Sequence, residues 1–351
     1  MPEALPNLET LQHDAELFVF RSMRAGEPLL VVEPAATEVA ASIAQFENAV
    51  RLRGQLAPAW AARPRALEQH HGKPALLVDD PGGHLLSRHI RGPGELTVFL
   101  PIAVGAAAAL RELHARGIVH RDVKPANLIV TPSGELRLFG FGIAARLPAE
   151  GSIRAPVGTA VGTLAYMAPE QTGAMDRGVD ARSDLYALGV TLYELATGAL
   201  PFAAADAREW IHAHLAKEPR PVEGVPAVVA AIIAKLLAKA PEDRYQSAAG
   251  VEADLRRCLF EWEAHGVIEQ FPLGKSDLAD RLRIREAVYG RQTELEALRA
   301  AVDRALGMGL AICRSIISAH KGRLWATPNV PRGAIFQFTL PCGKETSTAA
   351  S

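Results

Sequence analysis

A carboxylate, an ammonium and a carboxamide stand at short fixed spacing in the run His120-Arg121-Asp122-Val123-Lys124-Pro125-Ala126-Asn127. A carboxylate in a loop can orient a hydroxyl group and accept its proton. A lysine two residues on is a compact positive charge suited to an anion such as a phosphate. An asparagine five residues after the aspartate offers a neutral oxygen of the kind that hard Mg²⁺ accepts. Thirteen residues past Asn127 the chain reads Gly140-Phe141-Gly142, and a glycine at 140 supplies no side-chain ligand to any cation.

These residues need a rigid support, and the flanking sequence supplies one. Glu135-Leu136-Arg137-Leu138-Phe139 alternates polar and apolar, which is the period of a strand. Pro132-Ser133-Gly134 precedes it as a turn, so residues 128–139 are expected to form a hairpin directly behind the loop. The segment 143–161 is rich in Ala, Gly and Pro, and is followed by Gly162-Thr163-Leu164-Ala165-Tyr166-Met167-Ala168-Pro169-Glu170.

The pattern His-Arg-Asp-x-Lys-Pro-x-Asn, with the motifs after it, resembles the protein kinases, and lysine two places after the aspartate resembles their serine/threonine branch. The resemblance implies that Asp122 orients the substrate hydroxyl, Lys124 reaches the transferring phosphate and Asn127 binds metal. It places Thr163 at the end of an activation segment, touching Asp122 and Lys124. It implies structural roles for His120 and Arg121 in the loop and for a Glu170–Arg244 pair, with Arg244 in Pro241-Glu242-Asp243-Arg244-Tyr245. Asp184 is expected to open a long central helix, 184–197, ended by Gly198, and to hold the loop. Ser152, Thr159 and Thr163 are the hydroxyls of the segment, and Arg121 is the residue that would read a phosphate there. These motifs span residues 120–244.

Four groups handle ATP in that family: a glycine-rich loop, a strand lysine, its helix glutamate and the Asp of Asp-Phe-Gly. Residues 10–33 contain strand-like runs, Leu17–Phe20 and Leu29–Val32, but no G-x-G-x-x-G, and Gly26 stands alone. Where Val-Ala-x-Lys is expected the chain reads Leu30-Val31-Val32-Glu33-Pro34. A helix over 40–56 carries Glu47, which without a lysine partner reads as a surface charge; the preferred register puts Ala49 at the glutamate position. Gly140 replaces the metal-binding aspartate, and no other acid lies in 136–146. Loss of a metal-clamping carboxylate removes several kcal/mol of transition-state stabilisation, and each ~1.4 kcal/mol is about tenfold in rate. ATP and Mg²⁺ are therefore the implied cofactors, with a weakened site. Asp79-Asp80-Pro81-Gly82-Gly83 is the implied hinge, where Asp79 and Asp80 would meet adenine through backbone groups.

The 351 residues carry a formal net charge of −1, which gives no reason to expect nucleic acid or a charged membrane surface as partner. Three cysteines, at 258, 313 and 342, lack metal-ligand spacing and fit a reducing cytoplasm. Met1-Pro2-Glu3-Ala4 has neither a basic segment nor an apolar core, so a cytoplasmic location is expected. The apolar stretches 96–110 and 225–238 read as buried helices rather than membrane spans. Gly274-Lys275-Ser276 lacks the glycine a phosphate loop needs at 269, where Glu269 stands. The histidines at 70, 71, 84, 89, 212 and 214 show no ligand spacing and read as solvated surface.

The expected architecture is α+β, two-lobed: a β-rich N-lobe with hinge over 1–83 and a helical lobe over 84–262, its last helix covering 248–262. Residues 263–304, with Tyr289-Gly290-Arg291-Gln292-Thr293-Glu294, resemble the start of the AAA-type ATPase in large bacterial hybrid signalling proteins. Residues 305–343 resemble the end of a histidine-kinase ATP-binding domain: Gly307-Met308-Gly309 matches its last glycine box, and Gly322–Ala326 and Gly333–Pro341 its final strands. The tail 344–351 reads as disordered. The resemblance implies a hybrid kinase joined end to end near residue 305, acting on a protein substrate or signalling partner. A pseudokinase scaffold is the alternative.

Overall fold

The computed structural model describes residues 6–13, 17–35, 39–90, 92–148, 152–153, 163–174, 177–277, 323–328 and 334–339. The chain divides into two units, 1–282 and 283–351.

The first unit begins with five antiparallel strands: β1 (Glu9–His13), β2 (Leu17–Arg24), β3 (Glu27–Pro34), β4 (Pro64–His70) and β5 (Lys73–Asp79), in the order β1-β2-β3-β5-β4. Two hairpins set the register. Ala25-Gly26 and His71-Gly72 each place both turn residues at positive φ, the geometry that matches the twist of the flanking strands. Gly26 is thus a turn residue and has no phosphate-binding part. Side chains alternate across the sheet: Val19, Leu30, Val32, Leu76 and Val78 face one core, and Phe20, Leu29, Val31, Ala75 and Leu77 the other. Helix α1 (Val39–Leu52) packs Phe46, Ala49 and Leu52 into the first of these cores. It is shorter than the expected 40–56, because residues 53–55 tighten into a 3₁₀ turn.

The remainder of this unit is mainly helical. After β6 (His84–Leu85) come α2 (Leu96–His114), β7 (Ile118–Val119), β8 (Leu128–Val130), β9 (Leu136–Leu138) and β10 (Ala145–Arg146). The helices α3 (Ala181–Thr197), α4 (Ala207–Ala216), α5 (Ala227–Leu236) and α6 (Ala248–His265) follow. β8 and β9 form the hairpin expected over 128–139, with Leu128 opposite Leu138. Helix α2 is long and apolar enough to span a membrane by length and composition, yet its buried face packs on α6, α3 and β9. Helix α3 starts three residues before the expected Asp184, because Asp180 caps it by accepting from Arg182 N. Gly198 ends it at φ 76°, a left-handed C-cap that glycine adopts without strain.

Helix α6 runs three residues past the expected Trp262, and residues 268–273 fold back so that Ile268, Phe271 and Leu273 join the core. The Gly274 amide donates to Asp254 at 2.7 Å. In the second unit the described residues are β11 (Arg323–Pro328) and β12 (Ala334–Thr339), an antiparallel pair with Arg323 opposite Thr339. The expected elements over 283–322 and 341–351 lie outside the described residues.

Two histidines expected at the surface are buried. His70 sits against Glu33 on the outer face of the sheet, and His214 is 1% exposed among Tyr186, Phe202 and Trp210. The absence of metal-ligand spacing excluded one role for them but carried no information on packing.

Candidate active site

The loop 120–127 leaves β7 and returns through a short 3₁₀ turn, Pro125–Asn127, into β8. This brings the three chemical residues and Thr163 together. Lys124 Nζ lies 3.0 Å from Asp122 Oδ2 and also donates to the Thr163 hydroxyl. The Thr163 hydroxyl donates to Asp122 Oδ1 at 2.9 Å, and the Thr163 amide donates to the same oxygen at 3.1 Å. Asn127 Nδ2 donates to both the carbonyl and Oδ2 of Asp122, each at 2.7 Å. Burial alone would raise the Asp122 carboxyl, but the charge and hydrogen bond of Lys124, with the hydrogen bond from Thr163, outweigh it and hold the group below its ordinary value. Asp122 is therefore a carboxylate at neutral pH, oriented by donors on both oxygens.

The loop is held from beneath. Asp184, in the first turn of α3, accepts from the His120 amide and the Arg121 amide at 2.7 Å each, and from His114 Nε2 at 2.8 Å. Arg121 has φ 69°, a left-handed conformation that costs a side-chain-bearing residue about 1–2 kcal/mol. The two amide bonds to Asp184, and the bond from Gln171 Nε2 to the Arg121 carbonyl at 2.9 Å, hold it there. His120 is fully buried with Nε2 against the Phe139 carbonyl at 2.8 Å, and burial lowers its pKa, so it is neutral. Deeper still, Arg244 makes a two-pronged pair with Glu170 at 2.7 and 2.9 Å, and both residues are 1% exposed. Ser183 and the carbonyls of Ala238, Lys239 and Arg182 satisfy the rest of this pair. The structure thus brings Thr163 to Asp122 and Lys124, Asp184 to the amides of His120 and Arg121, and Glu170 to Arg244.

Comparison with known proteins agrees with this geometry. Residues 92–254 match the family described as protein kinase domain. The fold is that of a protein kinase domain. Serine/threonine-protein kinase PknB of Mycobacterium tuberculosis is 39% identical over 173 residues, covering 48% of this chain and 27% of PknB. Serine/threonine-protein kinase Pkn1 of Myxococcus xanthus is 41% identical over 197 residues, covering 54% of this chain and 28% of Pkn1. Serine/threonine-protein kinase PksC of Streptomyces coelicolor is 36% identical over 190 residues, with 52% and 34% covered. The matched region is thus about a third or less of each relative's length.

The part of the kinase domain that would face a nucleotide is different. The connection between β1 and β2, Asp14-Ala15-Glu16, contains no glycine and lies outside the described residues. On β3 the positions turned toward α1 and the helical lobe are Leu30, Val32 and Pro34, all apolar and buried. Glu33 points to the opposite face, where it meets His70. Lys73 is the one lysine among residues 1–123, and it stands at the outer hairpin turn at the start of β5. Glu47 on α1 is exposed, and Ala49 is buried in the core.

At the metal position, Gly140 has φ 76°, and a Cβ built there would lie 2.4 Å from Asn127 Oδ1. Position 140 is thus closed to an ordinary side chain unless Asn127 moves. A magnesium ion at this place would find Asn127 Oδ1 and no carboxylate from position 140, so the residues present do not fit the usual two-ligand ATP–Mg²⁺ clamp. No cluster of three acidic, histidine or cysteine side chains suited to a metal occurs among the described residues.

The hinge carboxylates are already engaged. Asp79 is bound by Arg63, just before β4, at 2.9 Å and by Arg65 on β4. Asp80 is bound by Arg21 of β2 at 2.6 Å, and Arg21 also donates to the Gly83 carbonyl at 2.8 Å. Arg21 reaches Glu9 as well, and Glu9 accepts from Arg88 of the helical lobe at 3.1 Å. An ionic chain thus runs from the hinge across β1 to residue 88. Sequence reasoning gave no sign of it, because no motif links residues 9, 21, 80 and 88.

Two further contacts escaped the sequence. Tyr166 donates to Glu194 of α3 at 2.6 Å, beneath the end of the activation segment. Asn48 of α1 donates to backbone carbonyls at the start of that segment.

Proposed function

We propose that this chain is a serine/threonine-kinase-type signalling protein whose catalytic loop is intact and whose phosphate and metal end is reduced, so that phosphoryl transfer to a protein hydroxyl is slow. The observation that carries this reading is the Asp122 carboxylate held by Lys124 and Thr163 within 3.1 Å on the Asp184 support. An aspartate so placed serves a substrate hydroxyl, and a lysine beside it serves a transferring phosphate. The names of PknB, Pkn1 and PksC support the serine/threonine class. ATP as donor, a protein substrate and a cytoplasmic location belong to the same proposal.

A second reading is a scaffold without transfer. Gly140 and the apolar inner face of β3 favour it, since they leave phosphate charge without its usual lysine and aspartate. Transfer of labelled γ-phosphate from ATP, with Mg²⁺ or Mn²⁺, tests the two beside an Asp122→Asn control. The kinase reading expects slow incorporation that disappears in the control. No incorporation in either protein leaves the scaffold reading.

The origin of the chain as an internally shortened hybrid kinase belongs to this proposal too. The hairpin of β11 and β12 lies where the histidine-kinase resemblance expects two strands, which supports it. A contiguous genomic read through codons 300–310 is expected; a frameshift there would sink it.

A further inference from the structure

The 3₁₀ turn Phe141–Ile143 that follows Gly140 closes with the Ala144 amide on the Phe141 carbonyl at 3.2 Å, and leaves the carbonyls of Gly142 and Ile143 without partners inside the turn. Donors from both lobes meet them. Asn48 Nδ2 lies 2.8 Å from the Ala144 carbonyl, 3.0 Å from that of Gly142 and 3.4 Å from that of Phe141. Arg121 Nη1 lies 3.4 Å from the Ile143 carbonyl. Only the NH₂ end of an amide can face three carbonyl oxygens, so the acceptors fix the orientation of the Asn48 side chain. One turn earlier Gln45 lies against Gly142, where an added Cβ would be 3.0 Å from Gln45 Cβ. Phe141 itself is 2% exposed, with its ring 5.1 Å from that of His120.

In this fold an ion pair between a β3 lysine and a helix glutamate ties the helix to the bound nucleotide. Here β3 turns Leu30, Val32 and Pro34 to that side, and Glu47 is exposed. The hydrogen-bonded contact between α1 and the segment is instead an amide on backbone carbonyls.

We propose that Asn48 is a positioning residue that fixes α1 against residues 141–144 and sets the inward position of the helix without help from nucleotide. The inference rests on the kinase-type reading of the domain, but its readout does not depend on activity. Backbone amides are neutral, so the tie is insensitive to ATP, to Mg²⁺ and to ionic strength. The helix is then held in its inward place whether or not a ligand is present.

The test is amide hydrogen exchange on the full chain, parent and variants, with and without ATP and Mg²⁺. Asn48→Leu keeps the branching and heavy-atom count of the side chain and removes the donors. It is expected to speed exchange over 141–147 and α1 at least tenfold, while α3 and α6 stay within twofold of the parent. Gln45→Ala trims the packing on Gly142 and leaves the donors in place, so exchange over 141–147 should remain within twofold. In the parent, addition of ATP with Mg²⁺ should leave α1 exchange unchanged. Equal loosening by Gln45→Ala, no loosening by Asn48→Leu, or several-fold protection of α1 by Mg²⁺-ATP in the parent would each overturn the assignment. The parent measurement stands even if Asn48→Leu does not fold. Absence of phosphoryl transfer would count against the kinase reading and leave this result intact.

Discussion

On the loop side of the cleft, Asp122, Lys124, Thr163 and Asn127 bond to one another, and Asp184 and the buried Glu170–Arg244 pair hold them from below. On the side facing them, β3 presents Leu30, Val32 and Pro34, and position 140 is a glycine whose space Asn127 fills. The first region is charged, half-buried at Asp122, Lys124 and Thr163 and buried beneath them; the second lacks those charges while keeping its fold. A hydrophobic strand packs on α1 equally well with or without a lysine, so removing the phosphate-binding charges costs the fold little. Removing the loop's charges would leave buried partners unpaired, which the fold cannot absorb. This difference shows how the chemistry of a cleft can be reduced on one side only.

If the comparison is right, single changes beneath the loop are severe and changes on the nucleotide side are mild. The largest effect is expected from Arg244→Met, which strands the Glu170 carboxylate in the core. Breaking one partner of a buried pair costs about 3–5 kcal/mol, a large part of the ~5–15 kcal/mol typical of a domain. Urea denaturation should find the variant unfolded or close to it, and a loss under ~1 kcal/mol would break the comparison.

A second effect is set by pH. Burial, and then the charge of Lys239, push His214 down to about 4. Its unfolded value is near 6.5, so between those values the unfolded chain binds the extra proton and folded stability falls as pH falls. The contribution is on the order of 1–3 kcal/mol by pH 4. Thermal melting should drop across pH 6.5 to 4, and a variant such as His214→Gln should flatten that part of the curve. An unchanged slope in the variant would locate the acid sensitivity elsewhere.

Next comes Gly140→Asp. The new side chain meets both a left-handed backbone and Asn127, and the expected loss is about 1–2 kcal/mol. Phosphoryl transfer should not rise, since no lysine reaches the cleft from β3. Rescue of transfer would sharpen the comparison to a single missing ligand.

The smallest effect is expected from Arg88→Ala at the rim. Arg88 and Glu9 are each more than a third exposed, and such pairs contribute about 0–1 kcal/mol, less at high salt. Melting with and without 1 M NaCl should move the parent toward the variant.

The motif residues were legible because each is bound by fixed local spacing. Asp122, Lys124 and Asn127 share one loop, and the pairing of Thr163 with Asp122 followed from family resemblance. Helix ends were less legible: the Asp180 cap extends α3 back, and the 3₁₀ turn at 53–55 shortens α1. Whether a glycine or histidine was structural could not be read from spacing at all, as Gly26, His70 and His214 show.

The sequence by itself determined the loop chemistry, the β8–β9 hairpin behind it and the missing lysine and aspartate, because these depend on residue type at short separation. Tertiary structure alone decided that Glu33 faces away from the cleft, since a strand's period of two assigns faces only once its register is set. It also decided that Asn48 meets the carbonyls of 141–144, and that Arg21 and Arg88 converge on Glu9. Asn48 stands 93 to 96 residues from its acceptors and Arg88 stands 79 from Glu9, while Arg21 meets Glu9 across neighbouring strands, and only the folded backbone brings these groups within hydrogen-bond reach.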